Sequence, residues 1–242
     1  MQTRMHKFAL LPVLALLTLP AAPQAATFIV SQHGHSVGTA SYRFDSTPQG
    51  YASTSQVRIS MQGLAYALSK TEQLSPANQL RHVQLSATVN NSAVNLTAAP
   101  DAAQFLLNVS ANGRASTTRL EAHHAAVFLP DFDPGALETL LALAVARNNT
   151  DLWAILPKQT GTENGSIVPI QLATYPDEQG TLDGKPIAVH HLVATIAGAQ
   201  TDLFSGPQNQ LLQAELPQQG FALIRQSFVL TPSTKPGAPP SE

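Results

Sequence analysis

The residues of this chain whose types could do chemistry are its histidines, two aspartates ahead of a proline, and scattered serines. His33 and His35 lie two apart, while His123–His124 and His190–His191 are adjacent pairs. Residues two apart on a strand share a face, so His33 and His35 could chelate together, but Gly34 between them marks a turn. Adjacent histidines on a strand point to opposite faces, so each pair supplies at most one ligand to a site. A metal centre would need His33 or His35 to meet one histidine from each pair across a sheet. There is no H-E-x-x-H and no other three-ligand spacing. We therefore expect no metal and no cofactor, with His33, His35, His123, His124, His190 and His191 as the fallback ligand set.

Asp131 and Asp133 have the spacing of an acid/base pair. They equally fit a loop that enters a helix, with Asp133 as N-cap and Pro134 as the first helical residue. A metal-dependent or acid/base hydrolase using His123 or His124 with Asp131 or Asp133 is thus one function class. No G-x-S-x-G elbow, S-x-x-K run or Gly-rich phosphate loop is present, and no catalytic residue is assigned. The chain has no cysteine, which excludes disulfides, thiolate ligands, a cysteine nucleophile and a lipid-anchored lipoprotein.

Strands and one helix must position these groups. In 53 STSQVRISM 61 and 80 LRHVQLSATVN 90, apolar residues alternate with polar ones, so one face is buried and one is wet. Turn residues punctuate the segment at strand-sized intervals: Gly34, Pro48-Gln49-Gly50, Ser75-Pro76, Asn90-Asn91, Pro100-Asp101 and Asn112-Gly113. Residues 27–122 therefore read as an antiparallel meander. Residues 133–148 read as an amphipathic helix with Leu137, Leu140, Leu141, Ala144 and Val145 on one apolar stripe. Glu138 has no basic partner at helical spacing and is expected to face water.

Residues 150–231 form a second antiparallel set. Its strands are 151 DLWAILP 157, 165 GSIVPIQLATY 175 with Pro169 at an edge or bulge, 178 EQGTL 182, 186 PIAVHHLVATI 196, 199 AQTDLFS 205, 210 QLLQAEL 216 and 221 FALIRQSFVL 230. Asp183-Gly184 is a strong hairpin signal. The fold class is mainly β (α+β): a curved antiparallel sheet or half-open barrel with one central amphipathic helix packed on it, in a single domain over 27–231.

The ends speak about compartment. Residues 1–26 carry Arg4 and Lys7, then an apolar run from Phe8 to Leu19, then small residues, which is the pattern of a signal peptide cleaved near Ala25 or Ala26. Export to a bacterial periplasm or the extracellular medium is expected, with a mature chain that does not span a membrane. Its removal takes two cations and moves the formal charge from −2 to −4. With no basic stripe, nucleic acid is not expected as a partner. Residues 232–242, rich in Pro and Gly, read as a disordered tail.

Two stretches carry a resemblance. The start 34 GHSVGTASYRF 44 has the form G-x-x-x-G-T-x-x-Y-x-F, and the ending 207 PQNQLLQAELPQQGFALIRQSF 228 runs from a polar turn through L-L to an Arg in a final strand. Together they resemble bacterial secreted β-rich proteins of the half-barrel class that includes the periplasmic lipoprotein carriers of the Lol type. The resemblance implies a curved sheet over helices and an apolar ligand, a lipid or lipoprotein acyl chain, held inside. This chain departs from those carriers in having one evident helix.

The expectation is a non-enzymatic exported protein that binds an apolar ligand or an envelope partner. The expected lining is Leu137, Leu140, Leu141, Ala144, Val145, Val57, Ile59 and Val83, with burial of apolar surface at ~25 cal/mol per Å² as the driving force. The alternatives are a ligand-free structural or accessory interaction domain and the hydrolase above.

Overall fold

The computed structural model describes residues 24–157 and 165–231. The expected signal peptide, apart from residues 24–26, and the expected tail lie outside the described residues. Eight strands follow in order: β1 Gln24–Gln32, β2 His35–Thr47, β3 Gly50–Met61, β4 Leu64–Leu74, β5 Leu80–Val89, β6 Ser92–Asp101, β7 Gln104–Ala111 and β8 Arg114–Glu121. Each pairs antiparallel with the next. The turns have the backbone that their residues favour: Asn90-Asn91 and Asn112-Gly113 both take two successive positive φ angles, as a type I′ hairpin requires.

After a short β9, Ala126–Phe128, the single helix α1 spans Pro134–Ala146. Then come β10 Leu152–Pro157, β11 Gly165–Thr174, β12 Glu178–Leu182, β13 Lys185–Ile196, β14 Ala199–Ser205, β15 Leu211–Leu216, β16 Phe221–Arg225 and β17 Phe228–Leu230. β1 joins the halves, because it pairs with β2 on one side and β16 on the other. From β16 the sheet continues through β15, β14, β13, β11 and β10 to β9. The result is one large, open, curved sheet that does not close into a barrel.

Three expectations are corrected. The sheet is mixed, because β9 runs parallel to β10; an intervening helix permits a parallel return that a hairpin cannot. The stretch 221–230 is two strands, broken where Ser227 takes φ 64°. Its second piece, β17, leaves the main sheet and pairs with β12. There β12, β17 and the first half of β13 cover Val189, Phe204, Leu212 and Phe228 in a second small core on the outer face.

The third correction concerns the helix. α1 is not amphipathic, since ten of its residues from Pro134 to Ala144 are buried, Gly135, Glu138 and Thr139 among them. Val145, expected on the buried stripe, is 57% exposed. The helix lies in the trough, touching β2 and β3 on one side and β15 and β9 on the other, so nearly every face meets protein. At Gly135 the approach is so close that an added Cβ would collide with Ser55 Oγ. Gly38, in the motif that carried the resemblance, likewise leaves no room for a Cβ against the backbone of Arg58 on β3.

Candidate functional site

Two acid-centred clusters lie along the buried length of α1, one at its N-terminus and one a turn further in. The first is at the N-terminus. Asp133 is the N-cap: its Oδ1 accepts from Gly135 N at 2.9 Å and Ala136 N at 3.3 Å, with Pro134 opening the helix. Its Oδ2 lies 2.6 Å from Lys70 Nζ, and Lys70 Nζ lies 3.1 Å from Glu72 Oε2. All three side chains are fully excluded from solvent. Lys70 and Glu72 stand two apart on β4, on the inward face shared with Tyr66, Leu68 and Leu74. The register sets Ser55 opposite Lys70 and Ser53 opposite Glu72. Ser53 Oγ, Ser55 Oγ, Glu72 Oε1 and Asp133 Oδ2 have no hydrogen-bond partner among the described residues.

The electrostatics follow from this burial. Desolvation pushes the Glu72 carboxyl up and Asp133 adds to it, while Lys70 works against them. Desolvation pulls the Lys70 ammonium down, but the flanking Asp133 and Glu72 carboxylates outweigh it and hold it above its ordinary value.

The second cluster is built on Glu138, one turn further along. Its Oε2 accepts from Leu211 N at 2.6 Å and its Oε1 from Gln24 Nε2 at 2.5 Å. This carboxyl is buried rather than solvated, and desolvation raises it against the hydrogen bonds it accepts. Burial and the neighbouring Glu138 also raise the Tyr42 phenol. Glu138 borders an opening. A cleft of about 310 Å³ is walled by Glu138, Thr139, Ala142 and Val145 of α1, by Phe44, Ser46 and Tyr51 around the β2–β3 turn, and by Gln24, Asn78, Gln208 and Asn209. Val145 and Tyr51 present exposed apolar surface there.

A second opening of about 250 Å³ lies at the helix N-terminus between the 129–133 loop, Leu137, Ile196, Leu216 and Leu223. Of the eight residues expected to line a ligand, Leu137 faces this opening and Val145 faces the cleft. Leu140, Leu141, Ala144, Val57, Ile59 and Val83 are sealed within one continuous core.

The histidines do not converge. His33 sits in the β1–β2 turn with its N–H on Gly220 O at 2.7 Å, and His35 opens β2 opposite Gln32. His123 stacks on Trp153 with ring centroids 3.6 Å apart, and His124 follows it in the same connection. His190 meets Asp177 at 3.0 Å, and His191 lies between Asp202 at 2.9 Å and Glu178 at 3.5 Å. Among the described residues no group of three or more His, Asp or Glu is placed to hold a metal ion. Asp131 and Asp133 do not pair: Asp131 is exposed, while Asp133 is buried and occupied as the cap.

Lys70 and Glu72 were missed as site residues. A signal existed, because in 64 LAYALSKTEQL 74 the alternation that buries Tyr66, Leu68 and Leu74 also buries Lys70 and Glu72.

No family model matches the chain, and no curated protein matches it. A crystal structure of a DUF1089 family protein from Pseudomonas aeruginosa aligns with 90% of this chain and 98% of its own, at 11% identity and a TM-score of 0.42. That likeness is too weak to transfer anything to this chain. No helix among the described residues is long and apolar enough to cross a membrane.

Proposed function

We propose that this chain is an exported, non-enzymatic binding protein whose ligand is a small amphiphile held in the cleft at Glu138. The observation that carries the reading is a buried carboxyl group at the wall of an open cleft that also displays Val145, Tyr51 and Phe44. The cleft joins an apolar patch to several polar side chains, and placed polar groups beside apolar surface are what fix a small molecule's orientation in a site. The body of the ligand rests on Val145, Phe44 and Tyr51, and a hydroxyl, amide or amine of its head donates to Glu138.

The volume favours a small ligand over a whole acyl chain within the trough. Small-molecule pockets run from about 300 to 1,000 Å³; the cleft meets that range at its lower end, and α1 fills the trough itself. The likeness of 34–44 and 207–228 to half-barrel carriers supports an apolar cargo, and the N-terminal pattern supports a periplasmic or extracellular site of action. Signal cleavage near Ala25 or Ala26 removes Gln24, so Glu138 Oε1 loses its donor and turns to the ligand.

The test is a fluorescence titration with 1-aminoanthracene, an apolar ring system with one amine donor. The expected result is saturable binding with a blue-shifted emission, weakened at least about tenfold by Val145→Arg. No saturable signal, or binding indifferent to Val145→Arg, overturns the assignment and favours the ligand-free accessory domain.

A further inference from the structure

The sealed triad at the N-terminus of α1 has no part in the cleft, and its chemistry points elsewhere. Two carboxyls and one ammonium are packed together with their side chains excluded from solvent. If all three are ionised the cluster carries a net negative charge, and buried charge is costly even when paired. An amine pressed against a carboxyl in such a place has a route to neutrality other than solvent, the loss of water.

We propose that Lys70 and Asp133 are joined by an intramolecular isopeptide bond between Nζ and Cγ, formed by the protein itself with Glu72 as proton relay. Glu72 takes a proton from the Lys70 ammonium and delivers it to Asp133 Oδ2, all within the triad. The freed amine pair attacks Cγ, and the C=O electrons move onto Oδ1. Gly135 N and Ala136 N already donate to Oδ1, so the helix N-terminus stabilises the developing oxyanion. As the tetrahedral centre collapses, Glu72 carries a second proton from the nitrogen to Oδ2. The C–Oδ2 bond breaks with its electron pair, and Oδ2 departs as water. An ammonium and a carboxylate become a neutral amide and one water; nothing is oxidised, and Glu72 ends as it began.

Three observations favour this over a permanent ion pair. Nζ stands 2.6 Å from Oδ2, although that oxygen makes no aligned hydrogen bond. The positioned groups are held by packed elements on every side, which is the condition for a large effective concentration. The product also keeps the N-cap, because Oδ1 remains the amide oxygen on Gly135 and Ala136 while only the unbonded Oδ2 is lost. The amide would clamp the start of α1 to β4 in a chain that has no cysteine for a disulfide.

Tryptic peptide mapping of the purified, denatured full-length protein tests this. The expected result is no cleavage after Lys70 and a branched peptide joining residues 59–81 to residues 120–147, lighter by one water, with fragmentation placing the branch at Lys70 and Asp133. Separate peptides with normal cleavage after Lys70 overturn the proposal. In Glu72→Gln, shown to be folded by circular dichroism, the branched peptide is expected to be absent or to form at least about tenfold more slowly. Branching at the wild-type rate in that variant removes Glu72 from the mechanism. If Glu72→Gln does not fold, the wild-type map still decides whether the bond exists.

Discussion

The first two turns of α1 carry two carboxyl groups, Asp133 and Glu138, that finished in opposite situations. Asp133 is sealed with a cation and a second acid, and every atom of the three side chains is out of solvent. Glu138 is almost as buried, yet its partners are a backbone N–H and an amide, and it borders a cleft. The difference teaches that burial alone does not identify a binding site. A buried acid with its own cation is a fastener; a buried acid answered by neutral donors beside open space can answer a ligand instead.

Substitutions can separate the two clusters. The largest effect is expected from Lys70→Met, which removes the partner of Asp133 and Glu72, whether ionic or amide-linked, and leaves both carboxyls buried alone. Removing one partner of a buried ion pair costs about 3–5 kcal/mol, read as a fall in the urea midpoint. Leu140→Ala, on α1 just beyond Glu138 and fully buried, is expected to cost about 2–5 kcal/mol. That loss should come without change in 1-aminoanthracene affinity where the variant remains folded.

Glu138→Gln is expected to show its effect in pH dependence. Burial raises this carboxyl in the folded state above its ordinary value of 4.5, so the folded chain binds the proton more tightly than the unfolded one. The stability from that preference is full below the unfolded value and is lost as pH rises through the folded value. The stability of Glu138→Gln relative to wild type should therefore rise with pH above about 4.5, measured by denaturation at several pH values. A flat difference would mean that Glu138 is effectively solvated. Val145→Arg, at an exposed position, should change stability by less than about 0.5 kcal/mol while blocking the cleft.

Much of the architecture was legible before any coordinates. Period-two alternation in 53–61 and 80–90, the Asn-Gly and Asp-Gly turns, and the Asp133-Pro134 entry into the helix are local signals with local causes. The structure agrees with each of them. What was misread depended on partners far away in the chain. Val145 was assigned to a buried stripe because periodicity cannot say how wide a helix's covering is. Glu138 was assigned to water because its donors, Leu211 and Gln24, come from β15 and β1.

The sequence by itself determined most of the strands, the turns, the capped helix and the lack of cysteine, because backbone preference and alternation act over a few residues. Only the tertiary structure decided that β1 would join the two halves, that α1 would be enclosed on nearly every side, and that Lys70 and Glu72 would meet Asp133. Those outcomes rest on which distant surfaces pack together. The energy of a buried charge or a filled trough depends on all its neighbours at once, and no short stretch of sequence contains them.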